Sequence, residues 1–324
     1  LLPGSFRDIT PDRFEVAAYL NCGPQNVAKA GGVTIEALNG KPFRSEKGED
    51  PSLSVAFAET SLVFRISGLD PATEYIIGFT WWDSTLDGRW QSIHMNGEEV
   101  LPPTRPIAYE RPGGVRDPAH PFRGQPTPTR IQFPLPLGQA EDGTCSISIK
   151  GEGPQNVVNS ELWIMRRVRP KAEKQVLLVS GQDFPGHFWR ETGPVMEELI
   201  TRDPRMEVTI CETPYAVGLK HLDAYDVVFL HCKNYESELP STEATRGRLE
   251  RYVHGGSGLC LSHFACGAFQ EWPEFVALSG RVWNGGGHDR RGPFTVEVVD
   301  REHPVTCGLS DFETDDELYW CLEG

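Results

Sequence analysis

The sequence has no apolar run long enough to span a bilayer, and it carries few cations for its length of 324 residues. Lys and Arg number 31 against 46 Asp and Glu, which gives a formal net charge of −15 at pH 7. An acidic chain of this kind repels phosphate backbones. We therefore expect neither nucleic acid nor a membrane among its partners, and the length allows two domains with their own cores.

Several catalytic and binding motifs are also missing. No Walker loop and no GxGxxG after a strand is present, so we expect no bound nucleotide. The absence of a GxSxG elbow argues against an α/β-hydrolase. The eight cysteines form no CxxC pair, which argues against a zinc knuckle or a redox pair and favours buried free thiols for most of them. No signal peptide is visible, yet the chain starts at Leu1 rather than Met. Cytoplasmic, periplasmic and secreted locations all stay open.

The first half of the chain, residues 1–168, has the pattern of an all-β sandwich of the jelly-roll type. Short alternating apolar runs separated by turn residues are typical of that fold. The runs lie at 52–57, 61–66, 75–80, 131–133, 145–149 and 161–165. The Pro- and Arg-rich stretch 101–128 predicts a long loop at the rim of the sandwich.

The second half, residues 174–324, changes to alternating strands and helices. Apolar runs at 176–179, 207–211, 227–230 and 258–262 predict strands, and helical spacing appears at 192–202 and 241–253. Such alternation predicts an α/β domain with a flavodoxin-like parallel sheet.

Three histidines follow three of these predicted strands. His187 comes after the run 176–179, and His231 and His263 directly follow or end the runs at 227–230 and 258–262. In open α/β sheets, ligands bind outside the carboxyl ends of the strands. We therefore expect three imidazoles to converge near one cleft.

The motifs of the second half resemble the ThuA-like (trehalose-utilisation) family over about residues 175–319. The motifs are Val179-Ser180-Gly181-Gln182, His187-Phe188-Trp189, Asp226-Val227-Val228 with His231, Tyr252 to Leu259 with His263, Gly286-Gly287-His288, and Asp316-Glu317-Leu318-Tyr319. The resemblance implies a class I glutamine-amidotransferase-like fold and a role in sugar catabolism, in a setting where 3-keto-glycosides are processed. Relatives continue past the last motif, whereas this chain stops at Gly324, so either the domain is incomplete at its C-terminus or its sheet is completed differently.

The first half is similar to galactose-binding-like or malectin-like sandwiches. Tyr19-Leu20-Asn21-Cys22-Gly23 and the aromatic residues Trp81, Trp82 and Trp90 carry this resemblance. Exposed aromatic rings stack on the apolar faces of sugars. Trp81 and Trp82 alternate on a predicted strand, however, so packing of at least one in the core is the alternative.

Strand-end convergence and the family resemblance together nominate the site. The catalytic candidates are His263, His187, Glu317 and Asp316. Imidazoles with a carboxylate suit zinc or another transition metal, and the candidate ligands are His187, His263 and His288, with Asp316 or Glu317. The candidates for substrate contact are Trp189, Gln182, Trp283 and His231. The alternatives are core packing for the tryptophans and hydrogen bonding to loops for the histidines.

The leading interpretation is a carbohydrate-active protein that processes a glycoside or keto-sugar with metal or acid/base help. Its partner is then a small-molecule or oligosaccharide substrate, and a homo-oligomer is compatible with the sequence. A non-enzymatic carbohydrate-binding protein is the second interpretation. The third is an amidotransferase- or peptidase-like enzyme with Cys260 or Cys266 as nucleophile. We place His263 at the sharp turn where amidotransferases carry cysteine, because Cys260 lies too early in the run and falls within the strand.

Overall fold

The computed structural model describes residues 9–44, 54–81, 88–104, 129–136, 142–181, 189–233, 243–269, 272–283 and 287–324. The chain divides into two compact units, Leu1–Phe269 and Gln270–Gly324. The first unit holds an all-β portion and a parallel sheet, and the second holds one short helix and a two-stranded sheet.

The all-β portion is a sandwich of antiparallel sheets, as the alternating runs predicted. Its strand orders are β1-β13-β7-β10, β2-β3-β6-β11-β8-β9 and β12-β5-β4. The strands are β1 (Phe14–Asn21), β2 (Val27–Ala30), β3 (Val33–Ala37), β4 (Lys41–Arg44), β5 (Ser54–Ala58), β6 (Ser61–Ser67), β7 (Tyr75–Thr80), β8 (Trp90–Met95), β9 (Glu98–Thr104), β10 (Arg130–Pro134), β11 (Thr144–Glu152), β12 (Val157–Asn159) and β13 (Glu161–Arg167).

One part of the predicted rim loop is a strand. Residues 101–104 belong to β9, although Pro102 and Pro103 lie within it. Proline cannot donate to a neighbouring strand, so it is tolerated at sheet edges, and β9 is the edge strand beside β8. The remainder of the predicted loop, 105–128, lies outside the described residues.

The second half forms the expected α/β arrangement with a four-stranded parallel sheet. Its strands are β14 (Lys174–Val179), β15 (Met206–Cys211), β16 (Val227–Leu230) and β17 (Gly258–Leu261), in the order β15-β14-β16-β17. Helix α1 (Trp189–Thr201) and helix α2 (Glu243–His254) connect them, with 3-10 turns at Pro214–Gly218, Leu222–Ala224 and His263–Gly267. In this order β14 and β16 lie side by side at the centre of the sheet. The strands that follow them, β15 and β17, are added on opposite sides, so this pair marks the topological switch point.

Helix α1 begins earlier than the sequence predicted. Pro194 lies inside the helix rather than in its first turn. A proline there cannot donate a hydrogen bond to the preceding turn. Helix α2 agrees with its prediction to within two residues, and none of the helices in the described part of the chain has the length and apolarity that crossing a bilayer requires.

The second unit is small. It contains α3 (Pro273–Ser279), β18 (Gly292–Val296) and β19 (Phe312–Asp316). Strands β18 and β19 pair in antiparallel register from Gly292 opposite Asp316 to Val296 opposite Phe312. An isolated bridge joins His288 to Tyr319 and therefore extends the contact beyond the strands.

The sandwich and the parallel sheet share one hydrophobic core. Its buried members are Ile9, Phe14, Ile76, Trp163 and Met165 from the first half, with Val176, Leu178, Val208 and Ile210 from the second. All six residues of β7 are buried. An antiparallel strand buried along its whole length needs cover on both faces of its sheet, and the parallel sheet supplies the second cover. The domain boundaries placed between residues 168 and 174 stay a prediction.

The buried carboxylates of Glu207, in β15, and of Glu212, directly after β15, connect the two halves of the chain. Glu212 receives hydrogen bonds from Arg130 at the edge strand β10, one of them from Nε to Oε2 at 2.6 Å, and the side chains are 2% and 1% exposed. Arg167 of β13 donates to both oxygens of Glu207 at 2.7 and 3.0 Å. Buried charges of this kind are tolerated only when paired.

All eight cysteines are free thiols, but only half of them are buried, which is fewer than the sequence predicted. Cys22, Cys145, Cys211 and Cys232 are buried, whereas Cys260, Cys307 and Cys321 are exposed. Burial raises the pKa of Cys211 to about 12, and its Sγ donates to the carbonyl of Gln132 at 2.8 Å. This thiol therefore contributes a further link between β10 and β15.

Removing the carboxylate of the buried Arg130–Glu212 ion pair should destabilise the first unit strongly. Glu212→Ala leaves the Arg130 guanidinium buried without its carboxylate, and we expect a loss of about 3–5 kcal/mol in the free energy of unfolding, measured in urea. The matched control is Glu36→Ala, because Glu36 lies 3.7 Å from Arg65 with both side chains about half exposed. That change should cost less than about 1 kcal/mol. Equal losses in the two variants would contradict a linking role for Glu212.

The raised pKa of Glu197 in helix α1 predicts that the stability of the protein depends on pH. Burial, together with the nearby Asp12 carboxylate, raises the pKa of Glu197 from 4.5 to about 7. Below pH 4.5 the carboxyl is protonated in both folded and unfolded chains, and between about 4.5 and 7 only the unfolded chain ionises. The contribution of Glu197 to stability is therefore lost as the pH rises through this window.

Glu197→Gln should remove that loss. We expect the variant to match the wild type near pH 4 and to melt at a higher temperature near pH 8, measured by thermal unfolding across the range. Glu198→Gln, the same change at the exposed neighbouring position, is the control. A constant difference between Glu197→Gln and wild type at all pH values would show that titration of Glu197 is not responsible.

Candidate functional site

The carboxyl edge of the parallel sheet is the place where the sequence predicted a site. Backbone hydrogen bonds continue the sheet one residue beyond the strands. Ser180 donates to Cys211 at 2.8 Å, His231 to Val179 at 2.8 Å, and Ser262 to Leu230 at 3.0 Å. Residues 180, 231 and 262 are therefore held in register by the sheet itself.

His231 is fixed by two hydroxyl groups from different elements. Its Nε2 lies 3.0 Å from Oγ1 of Thr192, in the first turn of α1, and its Nδ1 lies 3.4 Å from Oγ of Ser262. A ring held at both nitrogens has a defined orientation, and the hydroxyls can donate or accept as the tautomer requires. His231 thus connects α1 with the ends of β16 and β17.

His263 occupies the sharp turn between β17 and the following 3-10 turn. Its φ angle is +50°, in the left-handed region that side chains other than glycine seldom adopt. The ring is exposed, and it packs edge-on against Phe264 with 4.7 Å between centroids. A histidine at such a position costs backbone energy, and such strain is concentrated at functional sites.

Ser180 adds a buried hydroxyl to the same edge. The residue is fully buried, and in the part of the chain that the structure describes its Oγ has no hydrogen-bond partner. Gly193 of α1 faces it, since a Cβ built on that glycine would lie 3.6 Å from Oγ. Ser180, Thr192 and Ser262 were not among the predicted site residues, although Ser180 and Ser262 follow their strands just as His231 does.

The cysteine alternative has little support from geometry. Cys260 is the third of the four residues of β17, so it lies within the strand rather than at the turn. Desolvation by neighbouring groups raises the pKa of its thiol, which is opposite to what a thiolate nucleophile needs. Cys266 lies in the 3-10 turn His263–Gly267 and is partly buried.

A second group of the predicted residues meets in the unit Gln270–Gly324. Nδ1 of His288 lies 3.7 Å from Oε1 of Glu317 and 2.9 Å from the carbonyl of Asp289. The Tyr319 hydroxyl donates to Oε2 of Glu317 at 2.8 Å. The Tyr319 ring also contacts Trp283, with 6.5 Å between centroids and near-perpendicular planes. Tyr319 therefore joins three of the candidates and was itself missed as a site residue.

The other candidates are placed as follows. Trp189 is 5% exposed at the start of α1, so its ring is largely core. Asp316 ends β19, is exposed, and accepts from the backbone N–H of Glu317 at 2.8 Å. Trp81 is 1% exposed and donates from its indole to Thr104, while Trp90 is partly buried. Gln182, His187 and Trp82 lie outside the described residues.

The predicted metal site is not assembled by the described residues. Among them, no group of three or more His, Cys, Asp and Glu side chains is arranged to hold an ion. His288 and Glu317 form only a pair, and His187 lies outside the described ranges. A divalent metal with His187, His263 and His288 as ligands stays a prediction.

Comparison with known proteins supports the resemblance. Residues 175–323 match the family model described as ThuA, trehalose utilisation. Among solved structures, a ThuA-like protein from Bacteroides uniformis is similar at 23% identity with a TM-score of 0.37; the match covers 47% of this chain and 63% of that one, which is less than two thirds of its length. No curated protein matches the chain.

Two further solved structures are similar at lower identity. One is the β-glucuronidase of Bacteroides uniformis, at 13% identity and a TM-score of 0.31, covering 47% of this chain and 18% of that one. The other is the ANX1 ectodomain of Arabidopsis thaliana, at 10% identity and a TM-score of 0.35, covering 48% and 49% of the two chains.

The backbone strain at His263 can be tested directly. Glycine adopts positive φ without cost, whereas alanine does not. We therefore expect His263→Gly to be more stable than His263→Ala by about 1 kcal/mol, measured by urea unfolding. At Arg251, an exposed position inside α2, the order should reverse, because glycine weakens helix interiors. The same order at both positions would argue against a left-handed conformation at residue 263.

Proposed function

We propose, from the match of residues 175–323 to the ThuA family model, that the chain is a carbohydrate-active enzyme that processes a glycoside or keto-sugar at the carboxyl edge of the parallel sheet. The observation that carries the proposal is His263, an exposed imidazole kept at a left-handed turn immediately after β17. Such a turn presents a side chain at the edge where ligands of open α/β sheets bind.

A second imidazole supports acid/base chemistry at this edge. His231 follows the neighbouring strand β16 and is oriented by Thr192 and Ser262. An imidazole changes its protonation near neutral pH, so it can take up or release a proton during the reaction. Both nitrogens of His231 contact these hydroxyls, so it exchanges protons with the edge through them rather than directly.

The proposed chemistry follows from what a glycosidic bond requires. One group removes a proton from the attacking water or from the carbon next to a sugar carbonyl. Another donates a proton to the departing glycosidic oxygen, so that it leaves as a neutral hydroxyl. We assign direct proton transfer with the substrate to His263, and we assign to His231 proton transfer through the Ser262 hydroxyl that contacts its Nδ1.

When bound, a divalent ion would polarise a sugar oxygen or activate a water molecule. The sequence nominated His187, His263 and His288 for it, with Asp316 or Glu317. Elemental analysis of the wild type beside His263→Ala and His187→Ala tests this ligand set, because stoichiometric metal should disappear in both variants.

The activity test incubates the full chain with a panel of glycosides and 3-keto-glycosides and measures the free sugar that is released. We expect His263→Ala to lower kcat/KM by about 10²–10⁴-fold, the usual contribution of a positioned acid or base. The His231→Gln variant should lower it as well and should alter the pH profile. His303→Ala is the matched control, because His303 lies in an exposed turn of the other unit and accepts from the backbone N–H of Val305. Circular dichroism confirms that each variant is folded.

Two outcomes would redirect the assignment. Sugar binding that persists in His263→Ala without turnover, and is lost in Trp90→Ala, would favour a non-enzymatic carbohydrate-binding protein. Turnover that is unaffected in both histidine variants and abolished by thiol labelling would favour a cysteine nucleophile.

A further inference from the structure

Helix α1 has an inward face and an outward face. Met196 and Ile200 are partly buried and pack against the shared core. Val195 and Leu199, each one position earlier, are 53% and 45% exposed. Residues four apart in a helix lie on the same side, one turn above the other. The outward face of α1 therefore presents two large apolar side chains to solvent, next to each other.

The sheet beside α1 adds further open apolar surface. Parallel strands are ordinarily buried on both faces, yet every residue of β17 is at least partly exposed. Cys260 of β17 is the partner of Phe229 in the ladder, so both side chains point to one face of the sheet. Phe229 packs, like Met196 and Ile200, against the shared core. The open surface at Cys260 therefore lies on the face of the sheet that carries α1.

Opposite charges lie at the two ends of the outward face. Glu191 is in the first turn of α1 and Arg202 directly follows its last residue, and both are exposed. Glu191 lies four residues before Val195, and Arg202 lies three residues after Leu199, so these side chains share one side of the helix. Arg202 is also 3.6 Å from Glu198, but both side chains are more than two thirds exposed, and such a pair is weak. The order along the face is acidic, apolar, apolar, basic.

This order is complementary to itself when the direction of the helix is reversed. A two-fold axis that brings a second α1 alongside in antiparallel orientation puts Glu191 opposite the partner's Arg202. It also puts Val195 opposite the partner's Leu199, and each of these pairs occurs twice. The spacings agree, because the midpoint between Glu191 and Arg202 and the midpoint between the two apolar residues differ by only half a residue.

We infer that the outward face of α1 binds the same face of a second copy of this chain, as an antiparallel pair of helices about a two-fold axis. The second copy approaches the sheet from the side on which Cys260 is open. A contact centred on one helix is small, so we expect a reversible dimer with a dissociation constant in the micromolar range. Such a dimer forms whether or not the carboxyl edge processes a sugar.

The test is sedimentation velocity of the full chain, from low micromolar to several hundred micromolar. We expect a monomer–dimer equilibrium. Leu199→Glu should raise the dissociation constant at least tenfold, because it puts a carboxylate opposite the partner's Val195, where the contact removes water. The matched control is Leu38→Glu, the same substitution at a position that is 44% exposed in the sandwich, and it should leave the constant unchanged.

A charge exchange tests the orientation of the two helices. Arg202→Glu brings two carboxylates together at each end of the pair and should weaken the dimer about fivefold, since exposed pairs are individually weak and each occurs twice. Adding Glu191→Arg to that variant should restore the wild-type constant, because the opposite charges then face each other again. Thermal unfolding of every variant at low concentration establishes that the monomer is folded.

A monomer at every concentration would overturn the inference, and the outward face of α1 would then serve another partner or none. A dimer that Leu199→Glu leaves unchanged, or that Leu38→Glu weakens as much, would place the contact elsewhere on the chain and would overturn it too. Failure of Glu191→Arg to rescue Arg202→Glu would rule out the antiparallel pairing.

Discussion

The structure depends on the pairing of two buried carboxylates with arginines from the other half of the chain. Glu207 and Glu212 come from β15 and the residue after it, whereas Arg167 and Arg130 come from strands of the sandwich. Both carboxylates are buried, so each needs its arginine in one geometry. The apolar contacts around Phe14, Trp163 and Val208 allow the two sheets to adhere, and the ion pairs fix where they do so.

This constraint places the site of the proposed function. Because β15 is fixed against β10, the register of β14 and β16 relative to the sandwich is fixed as well. The residues that follow these strands therefore lie in one row. That row positions His231 between α1 and β17. At the other end of the same strands, the gap that remains between the two sheets is a cavity beside Arg167 and Tyr225. One packing arrangement therefore sets both the edge and the cavity.

Much of the fold could be predicted because short apolar runs and helical spacing are local signals. The four parallel strands and the turn at His263 follow from runs of apolar residues and the residue that ends them. The shared core could not be predicted, since complete burial of β7 looks the same in sequence whichever partner covers it. The grouping of His288 with Glu317 through Tyr319 depends on a bridge between distant segments, and no periodicity reports such a contact.

The shared core also bears on how the chain is made. Synthesis proceeds from the N-terminus, so the sandwich leaves the ribosome before the strands that cover its outer sheet. Phe14, Ile76 and Met165 gain their final neighbours only when Val208 and Ile210 have emerged. Until then an apolar sheet face and two arginines are open to water and to other chains. The nascent protein therefore passes through an interval in which the sandwich strands exist without the partner that completes them, and its yield in the cell depends on keeping that interval short or protected.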